Sequence, residues 1–326
     1  MKTNKQIQLL VGIVVSVVCV TAVFWLIDPA EVVVALQEAN FAYLGLTGLY
    51  IVVYMGLRAL RWRYLLQDRV GIRPLFHVQN MGAMLTQLLP LRLGDVARAV
   101  MVGQMPRLTV AQGMSTMMVE RVLDMLLIVL LLPLTLSEAQ TLPTWMQQGA
   151  KVSSLLAGVV LVVLMILVRR WAGVRGWLVT AVPRSQKFLP QADNLMSGLN
   201  ALAHWRSAFF LFILTVFTWL PVVLAYSSAL IAVNLPPDLN IAAFVMCAGA
   251  LSVAAPSSPG QIGVFHVGVT SALALWGQPE AAALSLAILY HAANFVVMVL
   301  LGVVGFLATQ VSWSRFVALR SQEMPA

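Results

Sequence analysis

Ile7 to Ile27 is a run of 21 residues without one charged side chain. A helix needs about 20 such residues, at 1.5 Å rise each, to cross a bilayer's hydrocarbon core. The run follows Lys2 and Lys5 as a signal peptide would. No small-x-small cleavage site follows it and more apolar runs do, so it reads as an uncleaved signal anchor. Further long runs cover Phe41 to Leu57, Gly113 to Leu136, Ser153 to Val168, Ser207 to Val233 and Ala281 to Gln310, which predicts six spans. Only 10% of the residues are charged, against about 25% in soluble domains, which excludes a water-soluble globular chain. Cys19 and Cys247 both lie in apolar runs, where a thiol is ordinarily a small packing group, and no disulfide or metal framework is implied.

Two apolar stretches are interrupted. Leu75 to Val102 is broken at Leu89-Pro90-Leu91-Arg92-Leu93-Gly94, and Ile241 to Trp276 at Pro256-Ser257-Ser258-Pro259-Gly260. Lys and Arg concentrate in short cytoplasmic loops, and their distribution sets the fate of these stretches. Arg58, Arg61, Arg63, Arg69 and Arg73 precede the first, while Arg92, Arg98 and Arg107 accompany or follow it. The chain therefore dips in and returns to the cytoplasmic side. Asp238 and Glu280 flank the second, which places its two ends outside. Arg169 to Arg206 is cytoplasmic again, and the chain ends near Arg315 and Arg320, so both termini are cytoplasmic. Of 20 Lys and Arg, Lys151 alone falls in an outer loop, so the net charge of +8 reflects orientation rather than nucleic-acid binding. Arg58, Arg61, Trp62, Arg63 and Tyr64 read as an interfacial anchor.

Leu75 to Leu89 and Ile241 to Ala255 are each 15 residues long, about 22 Å of helix against a core of about 30 Å. Legs this short predict re-entrant hairpins whose tips are buried in protein. The expected fold is an all-α polytopic membrane protein of about six transmembrane helices plus two re-entrant hairpins, eight hydrophobic segments in all. It is one integral membrane domain over residues 1–326, with halves at about 1–150 and 151–310. Three spans per half turn the second copy upside down, an inverted repeat of the kind secondary transporters use. Pro90-x-x-x-Gly94 and Pro256-x-x-x-Gly260 recur at an offset of 166 residues. Glu120, Arg121 and Asp124 share the i, i+1, i+4 spacing of Tyr290, His291 and Asn294.

Ionisable residues inside a span cost roughly 2.5–3.5 kcal/mol each on insertion scales and usually face a partner or a wet cavity. Glu120, Arg121 and Asp124 therefore need an account. Spacing on the helix pairs Arg121 with Asp124 at i+3. The charges either close into a network with Arg92 or Arg98 that pins the first hairpin, or line a cavity and exchange partners when a headgroup or proton arrives. At the first tip a short helix begins near Gly94-Asp95, where free amides beside Arg92 and Arg98 suit an anion and Asp95 either caps the helix or pairs with an Arg. At the second tip Ser257 and Ser258 offer hydroxyls, and Gly260 and Gly263 permit close backbone approach or a tight turn. His291 and Asn294 complete the candidate substrate-binding set. No metal-ligand spacing, phosphate-binding loop, nucleophile elbow or Cys-x-x-Cys pair is present. The longest cytoplasmic segment, Arg169 to Arg206, is too short for a sizeable core.

Arg61-Trp62, Leu89-Pro90-Leu91-Arg92-Leu93-Gly94-Asp95-Val96-Ala97-Arg98, Glu120-Arg121-x-x-Asp124 and Ser258-Pro259-Gly260-x-x-Gly263-x-Phe265 together resemble the flippase-like family named after the membrane region of lysylphosphatidylglycerol synthase. The resemblance covers nearly the full length. It implies a lipid-translocating module of the bacterial cytoplasmic membrane, in some members fused to an aminoacyl-transferase or glycosyltransferase domain. No such domain is seen, so the synthase activity is not expected and the chain is read as a non-enzyme without cofactor. Asp95 stands where the family often has Glu, and Gln261 where it often has Gly. The favoured function is movement of a phospholipid or polyprenyl-linked lipid with an anionic headgroup between leaflets. The alternative is a non-transporting partner or scaffold that recruits a lipid-biosynthesis enzyme. A membrane-embedded enzyme using Glu120 and Asp124 as acid and base ranks third, since no nucleophile or metal accompanies them.

Single cysteines at Arg73 and Arg107 should both react from the cytoplasm, and single cysteines at Asp238 and Glu280 from the exterior. A membrane-impermeant thiol reagent reads this directly. Opposite sidedness within either pair removes the hairpin at that position.

Overall fold

In a bilayer every backbone amide and carbonyl must be satisfied within the chain, so apolar runs of this length become helices. The computed structural model describes residues 29–89, 93–106, 108–136, 144–181, 203–253 and 259–309, with a few more between 189 and 196. Among these the regular elements are all helical. The expected first span, the residues around both hairpin tips that include Arg92, Ser257 and Ser258, and the basic C-terminal segment lie outside them.

A short helix α1 (Pro29–Gln37) precedes α2 (Phe41–Leu65). Asn40 starts α2 by accepting a hydrogen bond from the Ala42 amide at 3.0 Å. The paired helices α3 (Ile72–Leu88) and α4 (Leu93–Gly103) occupy the first interrupted stretch. There follow α5 (Val110–Leu136), α6 (Thr144–Arg169), the short α7 (Trp171–Ala181) and α8 (Trp205–Ala232). Asp238 caps α9 (Leu239–Ser252) by accepting from the amides of Asn240 and Ile241. A short 3-10 turn at Pro259–Gln261, then α10 (Val264–Ala274) and α11 (Glu280–Thr309), complete the described chain.

Three helices, α2, α8 and α11, are long and apolar enough to cross a membrane, and α9 and α10 are shorter apolar helices. At 27 and 26 residues α5 and α6 have the length, but α5 carries Glu120, Arg121 and Asp124 near its middle. The first interrupted stretch begins earlier than its apolar run, because α3 starts at Ile72 rather than Leu75 and has 17 residues. Its partner α4 has 11. Both interruptions thus separate short helices, and each pair packs on itself: α3 against α4, α9 against α10.

The core is assembled around α2, which lies against α8, α3 and α11, while α11 runs along α3. The largest apolar cluster joins Tyr226 and Leu230 of α8, Val245 and Met246 of α9, Val269 of α10 and Leu286 of α11. A second packs Trp62 of α2 against Leu75, Val78 and Met81 of α3 and Val102 of α4. Close approach of α3 and α4 depends on paired glycines: a Cβ on Gly94 would strike the Gly82 carbonyl and Thr86. Small residues at such crossings let backbones approach.

The second break turns on left-handed backbone. Gly260 has φ 72° and Gly263 φ 90°, while Gln261 has φ 60°. Glycine adopts these angles freely and other residues do so at a cost, which accounts for the fit of glycine at the position Gln261 fills.

Gly94→Ala should therefore lower stability by about 1–3 kcal/mol through overpacking against the Gly82 backbone. Gly45→Ala, with nothing within 4 Å of the added carbon, should be neutral or slightly stabilising. Thermal unfolding of the two purified variants in one detergent compares them.

Candidate functional site

Helical spacing places complementary charges on three helices. Arg58 and Arg61 stand at i, i+3 on α2, Asp95 and Arg98 at i, i+3 on α4, and Glu120 and Asp124 at i, i+4 on α5. Where the helices meet, the charges interlock. Arg61 Nη1 donates to Asp124 Oδ1 at 2.7 Å and to Thr215 Oγ1 at 3.1 Å. Asp124 Oδ1 also accepts from the Trp219 indole at 2.8 Å. Arg98 Nη2 donates to Glu120 Oε2 at 3.1 Å. Its guanidinium lies 4.3 Å from the centre of the Trp62 ring, a stacked cation on an aromatic face. That ring is held in turn by its N–H, which donates to Thr116 Oγ1 at 3.0 Å. Arg121 Nη2 donates to Asp95 Oδ2 at 2.6 Å, and Arg98 Nη1 approaches Asp95 Oδ1 at 3.8 Å.

Two sequence expectations are corrected here. Arg121 does not neutralise Asp124 on its own helix: it reaches across to Asp95, and Asp124 is taken by Arg61. The guanidinium–carboxylate geometry is better between helices because each side chain leans toward its helix start rather than round the cylinder. Nor is the end of α2 an interfacial anchor throughout. Arg61 and Trp62 are fully buried and Arg58 nearly so, whereas Arg63 and Tyr64 keep partial exposure. An arginine is sequestered in this way only when carboxylates and hydroxyls satisfy it, and Asp124 and Thr215 do so for Arg61.

Exposure divides the network into two parts. The side chains of Arg61 and Asp124 are 1% and 5% exposed, and those of Arg98 and Glu120 2% each. Arg121 and Asp95 are 41% and 23% exposed. The first two pairs are locks and the third is open to exchange. Arg58 is the least engaged, since its Nη2 comes no nearer than 3.9 Å to Glu120, beyond hydrogen-bonding range. Among the described residues of this network four guanidinium groups therefore face three carboxylates, an excess of one positive charge.

This surplus borders a cavity of about 210 Å³. Arg58, Asp95, Arg98, Arg121 and Asp124 form one wall, and Gln261, His291 and Asn294 line another, with Tyr54, Phe265 and Tyr290 among the aromatic groups between. Of the candidate residues, Asp95, Arg98, Arg121, Asp124, His291 and Asn294 thus line one space, whereas Glu120 and Gly260 are not among its lining and Arg92, Ser257 and Ser258 lie outside the described residues. Glu120 stands behind the wall, engaged with Arg98. Gly260 sits at the second break beside the Gln87 carbonyl. His291 stacks on His266, ring centres 5.1 Å apart, and both rings meet Phe265 edge-on. His266 is itself oriented by accepting the Gly263 amide on Nδ1 at 3.4 Å. Missed from sequence were Arg58, Arg61, Thr215, Trp219 and the His266 contact. The matched ladders of Arg58/Arg61 and Glu120/Asp124 were the available signal for the first two. No group of three or more His, Cys, Asp or Glu that could hold a metal occurs among the described residues.

Fold and site together define a polytopic helical membrane protein whose helices line a charged, partly open cavity. The chain belongs to the family of the lysylphosphatidylglycerol synthase TM region, whose model matches residues 9–302. It is also similar to a curated protein named glycosyltransferase AglD from Haloferax volcanii, 26% identical over 95% of this chain and 56% of that protein's length. The chain thus spans little more than half of that relative. No solved structure matches. The expectation of a non-enzyme is corrected by this finding, since a relative bearing an enzyme's name ties the chain to an enzyme-related family.

Arg61→Ala should destabilise the protein by about 3–5 kcal/mol, because it strands Asp124 in low dielectric. Arg121→Ala should cost under about 1 kcal/mol, as for other half-exposed pairs. Arg61→Met combined with Asp124→Leu should recover most of the loss. Unfolding midpoints of the three variants decide it, and equal losses at Arg61 and Arg121 would refute the division into locks and an exchangeable pair.

Proposed function

We propose that the protein moves a lipid with a singly anionic headgroup between the leaflets of the bacterial cytoplasmic membrane. The observation that carries this reading is the uncompensated positive charge at the cavity wall, four guanidinium groups against three carboxylates. A phosphodiester carries the one negative charge that balances it, and its oxygens match the fork geometry of Arg. The cavity has room for a headgroup while the acyl or polyprenyl tails remain in lipid. Arg58 and Arg121 make first contact in this mechanism, and Asp95 releases Arg121 to the incoming phosphate. Arg61–Asp124 and Arg98–Glu120 keep the helices in place while that exchange occurs.

Both termini are cytoplasmic in this reading, and α3–α4 and α9–α10 are re-entrant hairpins of an inverted repeat, with halves near 1–150 and 151–310. The short paired helices at the two breaks, and the presence of Arg121 and Asp124 with Tyr290, His291 and Asn294 in one cavity lining, support it. In sequence, Arg92, Ser257 and Ser258 fall at the two breaks, and on this reading they serve the headgroup's passage. The similarity to a protein named as a glycosyltransferase favours a second reading, in which the same site presents a lipid-linked substrate to a glycosyl-transfer reaction.

The test is reconstitution into liposomes with fluorescent phosphatidylglycerol and phosphatidylcholine. The anionic lipid should equilibrate faster than the zwitterionic one. Arg58→Gln should reduce its rate by about 10- to 100-fold, the loss of one charge-assisted contact of roughly 1.5–3 kcal/mol, with the unfolding midpoint held. A folded, fully active Arg58→Gln protein would show that the cavity is not the headgroup site.

A further inference from the structure

Beyond the cavity, α3 carries two carboxamides, Gln79 and Asn80, both 0% exposed. All four of their side-chain polar atoms lack a hydrogen-bond partner among the described residues. Buried amides are almost always paired, because an unpaired one loses its water and gains nothing in return. A helix packed on α2, α4 and α11 would hold more firmly with leucines at these places.

Their position relates them to the site. Ala83, Thr86 and Gln87 of α3 line the cavity, and Gln87 Oε1 is a further atom without partner. Gln79 lies one turn before Ala83, and Asn80 lies one turn before Met84 and two before Gln87, so the helix face that lines the cavity continues, past the small Ala83 and the flexible Met84, to the two amides on the Arg73 side. Gly82, between them, is where the aliphatic part of Arg98 crosses α3. The same face therefore passes from the cavity wall, behind the charged network, to the two amides. A carboxamide offers donors and an acceptor but no charge, which matches hydroxyls rather than a phosphate.

We infer that the polar route through the bundle continues past the cavity along α3, and that Gln79 and Asn80 are its second station, closed in this conformation, for the uncharged hydroxyl-bearing part of a headgroup. This rests on the transport reading above. The phosphate is held by Arg58 and Arg121, and the hydroxyls find the amides when the helices around α3 part. Until then the amides stay shut away from solvent.

Two measurements test the inference. Gln79→Leu with Asn80→Leu should keep or raise the unfolding midpoint while slowing liposome transfer of fluorescent phosphatidylglycerol by about tenfold or more. A raised midpoint with unchanged transfer makes the amides a mere burden, and a lowered midpoint makes them structural; either overturns the inference. The second measurement does not need transport. In a chain with Cys19→Ala and Cys247→Ala, Asn80→Cys should react with a small water-soluble methanethiosulfonate faster than Met55→Cys, an apolar position equally buried, and slower than the exposed Arg69→Cys. Labelling no faster than Met55→Cys overturns the route. Wild-type protein that moves no lipid while Asn80→Cys still labels would sink the transport reading and leave the polar station standing.

Discussion

The bundle depends on two guanidinium–carboxylate locks, Arg61 with Asp124 and Arg98 with Glu120, placed where lipid offers no alternative partner. Each ties helices that apolar packing alone would leave free to slide, since lipid tails are as apolar as leucine and give little net drive to helix association. The Arg61 lock joins α2 to α5 and, through Thr215 and Trp219, to α8. Its Arg98 counterpart fixes α4 to α5 and, through the Trp62 face, to α2. A buried pair is a poor source of net stability compared with an apolar replacement. What it supplies is register, because the charges are satisfied in one arrangement only.

From that register follows the character of the site. With two carboxylates committed to locks, Asp95 alone remains to answer Arg121 and Arg58, and it can answer one. Its bond to Arg121 at 2.6 Å leaves Arg58 under-compensated beside the cavity. On the proposed reading an incoming anion would break no lock, since it would compete with Asp95, 23% exposed, for Arg121 alone and leave the frame behind the cavity unchanged.

Much of this was legible in the residues and some was not. Helix positions followed from apolar runs because lipid enforces internal hydrogen bonding, and both breaks appear where Pro and Gly interrupt those runs. The intramembrane cost of Glu120, Arg121 and Asp124 marked them for attention, and His291 and Asn294 were reached through their shared spacing with that triplet. Pairing was misjudged because i, i+3 spacing on one helix was weighed without the neighbouring helix, which brings Asp95 to Arg121 and Arg61 to Asp124. Arg61 was assigned to the membrane surface because a basic residue near the end of a span usually snorkels. Only its register with Asp124 shows that it turns inward. Thr215 and Trp219 carried no signal, since a Thr and a Trp in an apolar run have many ordinary roles.

The chemistry of the cavity is divided along the chain. Charged groups reach the cavity from the first half, on α2, α4 and α5, whereas the second half contributes Gln261, His291, Asn294 and aromatic rings. Arg121 and Asp124 line the same cavity as Tyr290, His291 and Asn294, while Glu120 stands outside its lining. A fully symmetric pair of charged triplets would double the desolvation cost and hold an anion from both sides. On the proposed reading, a lining that combines these charges with uncharged donors and stacked rings would attract a headgroup without trapping it, as passage between leaflets would require.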